Sequence, residues 1–282
     1  LLKNSMNAAF EKFKLALPIT AGIDSRTILS ATKDISEDVY YYTLLYGSLN
    51  AESNDIKIPK RLLSFLGLEH HLLDCSTQMS PSFSKIYCKN VANAHIAWGN
   101  IAYGLSSLFP SDRVCVKGNG CEIARCFYYK NKYPKSIDGS TLGALAGMKD
   151  SSFAIKHFDE WINNTMAIAT DFNIDILDLF YWEHRMGSWQ SMSQLEWDIV
   201  QEAFTPYNNR RLLTILLSVD RTYRKPPDFT LFRGIIQRLW AEALEAEINP
   251  KPFIYKFESP IKKLLNSTGT YELAIKIRRL FH

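Results

Sequence analysis

Two acidic residues in glycine-containing turns, Asp24 and Glu122, are the side chains best placed by sequence to do chemistry. Asp24 lies within residues 15–29, where a short apolar run, a tight turn of small residues and an amphipathic segment follow one another. That order reads as strand, turn and helix start. Backbone N–H groups at such a turn point at one spot without helix partners, and the helix dipole adds positive potential there. The turn is an anion cradle. Thr20 and Ser25 add hydroxyl groups, Asp24 a carboxylate able to hold a cation, and Arg26 a guanidinium suited to phosphate. Glu122 closes a second turn, Gly118-Asn119-Gly120-Cys121-Glu122. Two carboxylates converging on a triphosphate are what Mg²⁺ needs, because it takes few protein oxygens and keeps phosphate and water for the rest. The plain alternative for both segments is an ordinary strand-to-helix turn and a glycine loop. No Gly-x-x-x-x-Gly-Lys-Ser/Thr run is present, so this is not a Walker loop.

Residues 20–25, Thr-Ala-Gly-Ile-Asp-Ser, resemble the Ser-Gly-Gly-x-Asp-Ser pyrophosphate loop of the N-type ATP pyrophosphatases. This PP-loop superfamily includes asparagine synthetase, β-lactam synthetase, GMP synthetase, NAD synthetase and the tRNA thiolation enzymes. Residues 118–122 are similar to the Gly-x-Gly-x-Asp segment of the asparagine and β-lactam synthetases, whose terminal acid holds magnesium. The likeness runs in order through most of the chain and is nearest to the synthetase domain of asparagine synthetase-like proteins. It departs from the pattern at Thr20, at Ala21 for the first glycine, at Arg26 where a small hydroxyl residue is usual, and at Glu122 for Asp.

The resemblance implies ATP and Mg²⁺ as ligands, with Asp24 and Glu122 on the metal. It places Thr20, Ala21, Gly22, Asp24, Ser25 and Arg26 around the pyrophosphate, and main-chain groups of Ile19, Tyr46, Lys117 and Gly118 on the adenosine. Residues 201–210 resemble the asparagine synthetase segment Glu-x-Arg-x-Pro-Phe-Leu-Asp, which makes Glu202 a candidate for binding a substrate amine or orienting a lysine. An exposed helix carboxylate is its alternative. Lys251 stands where the family has the lysine that stabilises charge as an amine attacks an acyl-adenylate. The implied reaction is ATP-dependent activation of a small-molecule carboxylate and its transfer to an amine or ammonia, releasing AMP and pyrophosphate. The glutaminase domain that precedes this region in asparagine synthetase is missing here, and the chain opens at Leu1 without an initiator Met, as a fragment would. The motif departures argue against asparagine synthesis itself. A non-catalytic nucleotide-binding module of the same fold is the competing reading. A tRNA-thiolating relative lacks support, since neither paired catalytic cysteines nor an RNA-binding domain is evident.

The elements that must position these residues follow from periodicity. Residues 5–14 carry apolar positions at helical spacing, and residues 15–19, 39–46, 70–75 and 113–117 read as strands separated by helical stretches. Strands alternating with helices imply a parallel sheet covered on both faces, with ligands beyond the carboxyl ends at the switch in strand order. The expected architecture is α/β over residues 1–135, a PP-loop ATP-binding core, followed by a mostly helical substrate-side region over 136–282 packed on it. Residues 138–147, rich in Gly, Ser and Ala, read as a mobile connection, and everything from 153 onward as helices broken by prolines. Trp182, Arg185, Met186 and Trp189 fall on one helical face, either a carboxylate clamp or core with a snorkelling Arg.

Composition bounds the rest. The chain of 282 residues with 46% apolar residues can hold one large domain or two modest ones. A net charge of +4, scattered along the chain, gives no stripe for nucleic acid but suits an anionic small ligand. No run approaches the ~20 apolar residues of a membrane span. Five cysteines without a Cys-x-x-Cys pair point to reduced, mostly buried thiols and a cytoplasmic setting. The His70-His71 pair and His184 lack metal-ligand spacing and read as structural.

Overall fold

Leu15, Ala16 and Leu17 are fully buried, as a strand covered on both faces requires. In the computed structural model, which describes residues 1–91, 95–129 and 132–250, they form the middle of strand β1 (Lys14–Pro18). Around it run β2 (Tyr40–Leu45), β3 (His71–Asp74), β4 (Arg113–Val116) and a short β5 (Ala203–Phe204). Among the described residues the sheet is five-stranded in the order β3-β2-β1-β4-β5, and every pairing is parallel. The chain moves from β1 outward through β2 to β3, then returns to the other side of β1 with β4. The switch in direction therefore falls between β1 and β4, and an open parallel sheet takes its ligand at the strand carboxyl ends beside such a switch.

The period-two alternation of the strands builds two apolar layers. Leu15, Leu17, Tyr41 and Val116 belong to one cluster, which α1 (Leu2–Phe10), α2 (Ile23–Ala31) and α12 (Thr230–Trp240) complete. Ala16, Tyr42, Leu73 and Cys115 face the opposite layer and meet Ile101 and Leu105 of α5 (Ile96–Leu108). The remaining crossover helices are α3 (Asn54–Phe65) and α4 (Pro81–Asn90). Residues Leu1–Ile248 make one compact unit.

Two expectations from the sequence need correction. The Gly/Ser/Ala-rich stretch is not a loop: it forms α6 (Gly139–Leu145), capped by Asp138, whose carboxylate accepts the Thr141 N–H at 2.7 Å. Its small residues are there for packing. A Cβ at Gly139 would lie 2.2 Å from the Ile155 carbonyl of α7 (Ser152–Asp171), so only glycine permits that approach. The segment around Glu202 is not helical either, because residues 203–204 pair with β4 as β5, with Cys115 N–H donating to the Glu202 carbonyl at 2.8 Å. After α7 come α8 (Ile176–Phe180), a ten-residue π-helix Tyr181–Gln190, and α9 (Ser191–Leu195). Beyond β5 lie α10 (Arg210–Leu217) and α11 (Arg221–Arg224), ahead of α12. No helix among the described residues is long and apolar enough to cross a membrane.

Candidate functional site at the β1/β4 switch

β1 ends at Pro18, and the chain turns through Thr20–Gly22 into α2, whose amino end has no side-chain cap. The turn is closed by its own groups. Thr20 N–H and Thr20 Oγ1 each lie 3.2 Å from Ser25 Oγ, and Gly22 N–H donates to Thr20 Oγ1 at 3.1 Å. Ala21 N–H donates at 2.9 Å to a carboxylate, Asp55 Oδ1, from the first turn of α3. A carboxylate on a loop amide is what an anion-attracting turn collects when helix dipole and N–H groups act together.

Arg26 does not join this cradle. Its side chain is fully buried and runs the other way, donating from Nη1 to the carbonyls of Ala243 and Ala246 at 2.9 and 3.0 Å and from Nη2 to that of Glu247 at 3.2 Å. Burial, followed by the charges of Arg233 and Arg61, pushes its pKa down to about 10. It ties α2 to the segment that follows α12, which corrects the expected phosphate role.

β4 delivers the second turn. Gly118 sits against the start of α2, with a Cβ built there 3.6 Å from Asp24 Cβ. Gly120 has φ of +94° and lies over the buried Tyr207, so a side chain here would be both strained and crowded, its Cβ 3.1 Å from that of Tyr207. These close approaches bring Asp24 and Glu122 together. Glu122 Oε2 accepts the Gly120 N–H at 3.0 Å. Burial first, and the Asp24 charge second, raise the Glu122 carboxyl to about 7. Between the acids lies a residue that spacing did not single out, Arg125: its Nη2 is 2.7 Å from Asp24 Oδ2 and 3.9 Å from Glu122 Oε1. Burial opposes the Arg125 charge, but the Asp24, Cys121 and Glu122 charges outweigh it and raise its pKa.

A divalent ion between Asp24 and Glu122 would compete with Arg125 for Asp24 Oδ2 and with the Gly120 N–H for Glu122 Oε2, and would sit against a permanent positive charge. The residues present do not fit a metal held by the two acids. Among the described residues no group of three or more His, Cys, Asp and Glu is arranged around a metal position.

The remaining expected positions are accounted for one by one. Ile19 N–H donates to the Tyr42 carbonyl at 2.8 Å, and its own carbonyl accepts from Thr43 Oγ1 at 2.7 Å. The Tyr46 carbonyl accepts Leu49 N–H at 3.1 Å, and Lys117 N–H donates to the Phe204 carbonyl at 2.8 Å. The Lys117 ammonium lies 4.3 Å from the Trp197 ring centroid, a cation–π contact. Ile19, Lys117 and Gly118 thus lie past the carboxyl ends of β1 and β4, but the Ile19 N–H and carbonyl and the Lys117 N–H are engaged within the sheet. Glu202 is exposed and lines, with Lys14 and Arg113, a hollow at the amino ends of β1 and β4, the end of the sheet away from the turns. The structure does not bring it to the site. Lys251 lies outside the described residues.

Beside the Gly118–Glu122 turn is a cavity of about 440 Å³, floored by Asn119, Gly120 and Tyr207 and walled by Trp182, Met186 and Gln190 of the π-helix. π-helical geometry is rare and recurs at functional sites. It also breaks the helical face expected from α spacing: Trp182 and Met186 face the cavity while Arg185 lies 4.2 Å from the Trp189 ring centroid. Sequence reasoning missed Asp55 as well as Arg125. The signal for Arg125 was its place three residues after Glu122 on one tight turn, where the Arg125 N–H bonds the Glu122 carbonyl at 3.1 Å. Asp55 carried no local signal.

No protein-family model matches the chain, and no curated protein does. What is established is an α/β protein with a parallel sheet and an acid–arginine cluster at its topological switch.

Proposed function

We propose that this chain is an ATP-dependent, amide-forming ligase of the asparagine synthetase-like PP-loop kind. The observation that carries the reading is the meeting of two turns, 20–25 and 118–122, at the switch in strand order, where open parallel sheets take their ligands. The triphosphate would lie on the amino end of α2, exchanging the internal bonds of Thr20, Gly22 and Ser25 for phosphate oxygens. The cavity beside Gly120 is next to that position and has room for a small carboxylate. A carboxylate oxygen attacks the α-phosphorus, the bond to the β-phosphate oxygen breaks, and pyrophosphate leaves toward the turn. An amine then attacks the acyl carbon, loses a proton, and releases AMP with formation of the amide. Fixed dipoles at the α2 terminus stabilise the charge gathering on the leaving pyrophosphate. Lys251 remains the residue assigned by resemblance to the second step.

A non-catalytic nucleotide-binding module is the second reading, favoured by one specific observation: carboxylate Asp55 and guanidinium Arg125 already satisfy parts of both turns. Calorimetric titration with ATP and a pyrophosphate-release assay across carboxylates and amines separate the two. The ligase reading expects release that depends on both a carboxylate and ATP and is abolished by Asp24→Ala. Binding without release across the panel supports the module, and absence of binding removes both.

A further inference from the structure

An arginine stands between the two acids. Arg125 contacts Asp24 and approaches Glu122 with the same guanidinium nitrogen, at 2.7 and 3.9 Å, and its side chain is only 16% exposed. It is fixed from three sides. The backbone bond from Arg125 N–H to the Glu122 carbonyl sets it on the same 3₁₀ turn as the acid it approaches. The Phe229 ring lies 5.6 Å from its guanidinium carbon. The acids themselves are held in turn, Glu122 by the Gly120 N–H and Asp24 by the first turn of α2. Among the described residues the buried Nε of Arg125 has no hydrogen-bond acceptor, so the guanidinium is not fully satisfied by the protein alone. An arginine cannot discard its charge at any working pH, and its planar fork can bridge a carboxylate to a phosphate oxygen.

We propose that Arg125 is a built-in counter-cation, occupying between Asp24 and Glu122 the place that a divalent ion takes in a two-carboxylate centre, so that the site receives a phosphate ligand without a protein-held metal. The phosphate half rests on the nucleotide reading above; the half that concerns the metal does not.

The test uses the full chain and Mn²⁺ alone, followed by electron paramagnetic resonance. Wild type is expected to show no saturable binding in the millimolar range. Arg125→Gln, folded by circular dichroism, is expected to bind one Mn²⁺ at least tenfold more tightly than wild type, and the double variant with Asp24→Asn to lose it. One Mn²⁺ per wild-type chain that Asp24→Asn abolishes overturns the proposal, as does a folded Arg125→Gln that gains nothing. Should Arg125→Gln not fold, wild type against Asp24→Asn decides: a metal lost in the variant overturns, no saturable metal in either supports. A separate titration of wild type with ATP, in Mg²⁺ and then in excess EDTA, is expected to give affinities within threefold. A tenfold loss in EDTA overturns the phosphate half, whereas no ATP binding in either buffer defeats the nucleotide reading and leaves the Mn²⁺ result standing.

Discussion

Arg26 and Asp55 exchange the roles that their charges suggest. The cation that ought to draw phosphate is spent on three carbonyls of residues 243–247, and an anion stands on the loop amide instead. Removing Arg26 leaves buried carbonyl oxygens unpaired, and hydrogen bonds to a charged group are worth about 1.5–3 kcal/mol each. Arg26→Met is expected to lower the unfolding free energy by about 3 kcal/mol in urea, with ATP affinity of the folded chain unchanged. A tenfold loss of ATP affinity at full stability would return Arg26 to the cradle. Asp55 acts in the opposite sense: its carboxylate competes with phosphate for Ala21 N–H and repels it. For Asp55→Asn, calorimetry is expected to show ATP or pyrophosphate binding about two- to fivefold tighter, the size of a helix-terminus charge effect. Weaker binding would make Asp55 a support of the loop.

At the level of elements, four of the five strands among the described residues were legible, the clearest from an uninterrupted aromatic and β-branched run such as Tyr40-Tyr41-Tyr42-Thr43, which suits a doubly covered parallel strand. β5 was not, since two residues carry no periodicity and the strand exists only because β4 offers it an edge. The meeting of the 20–25 and 118–122 turns was legible from their glycines and acids together with their place after the first and fourth strands of a parallel sheet. The destination of Arg26 was hidden because its partners lie some 220 positions away, and backbone carbonyls leave no trace in side-chain identity. α6 was misread because glycine and serine lower helix propensity, while its close seat on α7 pays for the small residues. Two glycines then give opposite signs. Gly139→Ala forces a Cβ into the Ile155 carbonyl and is expected to cost about 2 kcal/mol or more, in the range of overpacking. Gly234, inside α12 with nothing within 4 Å of its Cβ position, is expected to gain about 0.5–1 kcal/mol as alanine. Thermal unfolding of the pair checks both, and equal shifts would mean that α6 does not hold this seat.

For the molecule as a whole, part of the pH response comes from a buried ion pair distant in sequence from the turns. Asp178 of α8 is 1% exposed and its Oδ2 accepts from Arg224 Nη1 of α11 at 2.8 Å and from the Tyr129 hydroxyl at 3.0 Å. Asp178 Oδ1 has no hydrogen-bond partner among the described residues. Burial dominates and raises the carboxyl from 3.8 to about 6; Arg224 and Tyr129 pull it down, and the neighbouring Asp175, itself 3.7 Å from Arg221, pushes it up. A carboxyl whose folded pKa exceeds its unfolded one binds its proton more tightly in the folded state. Its stabilising contribution is complete below pH 3.8 and is lost as pH rises to about 6, a change of about 3 kcal/mol. Asp178→Asn removes that titration and, like the protonated acid, leaves Arg224 without a counter-charge. The expected signature is therefore in the difference: the stability of wild type minus that of Asp178→Asn should shrink between pH 4 and 6 and then level off. Urea titrations at half-unit steps of pH measure it directly. A difference that grows with pH would mean that Arg224, and not burial, governs the charge of Asp178.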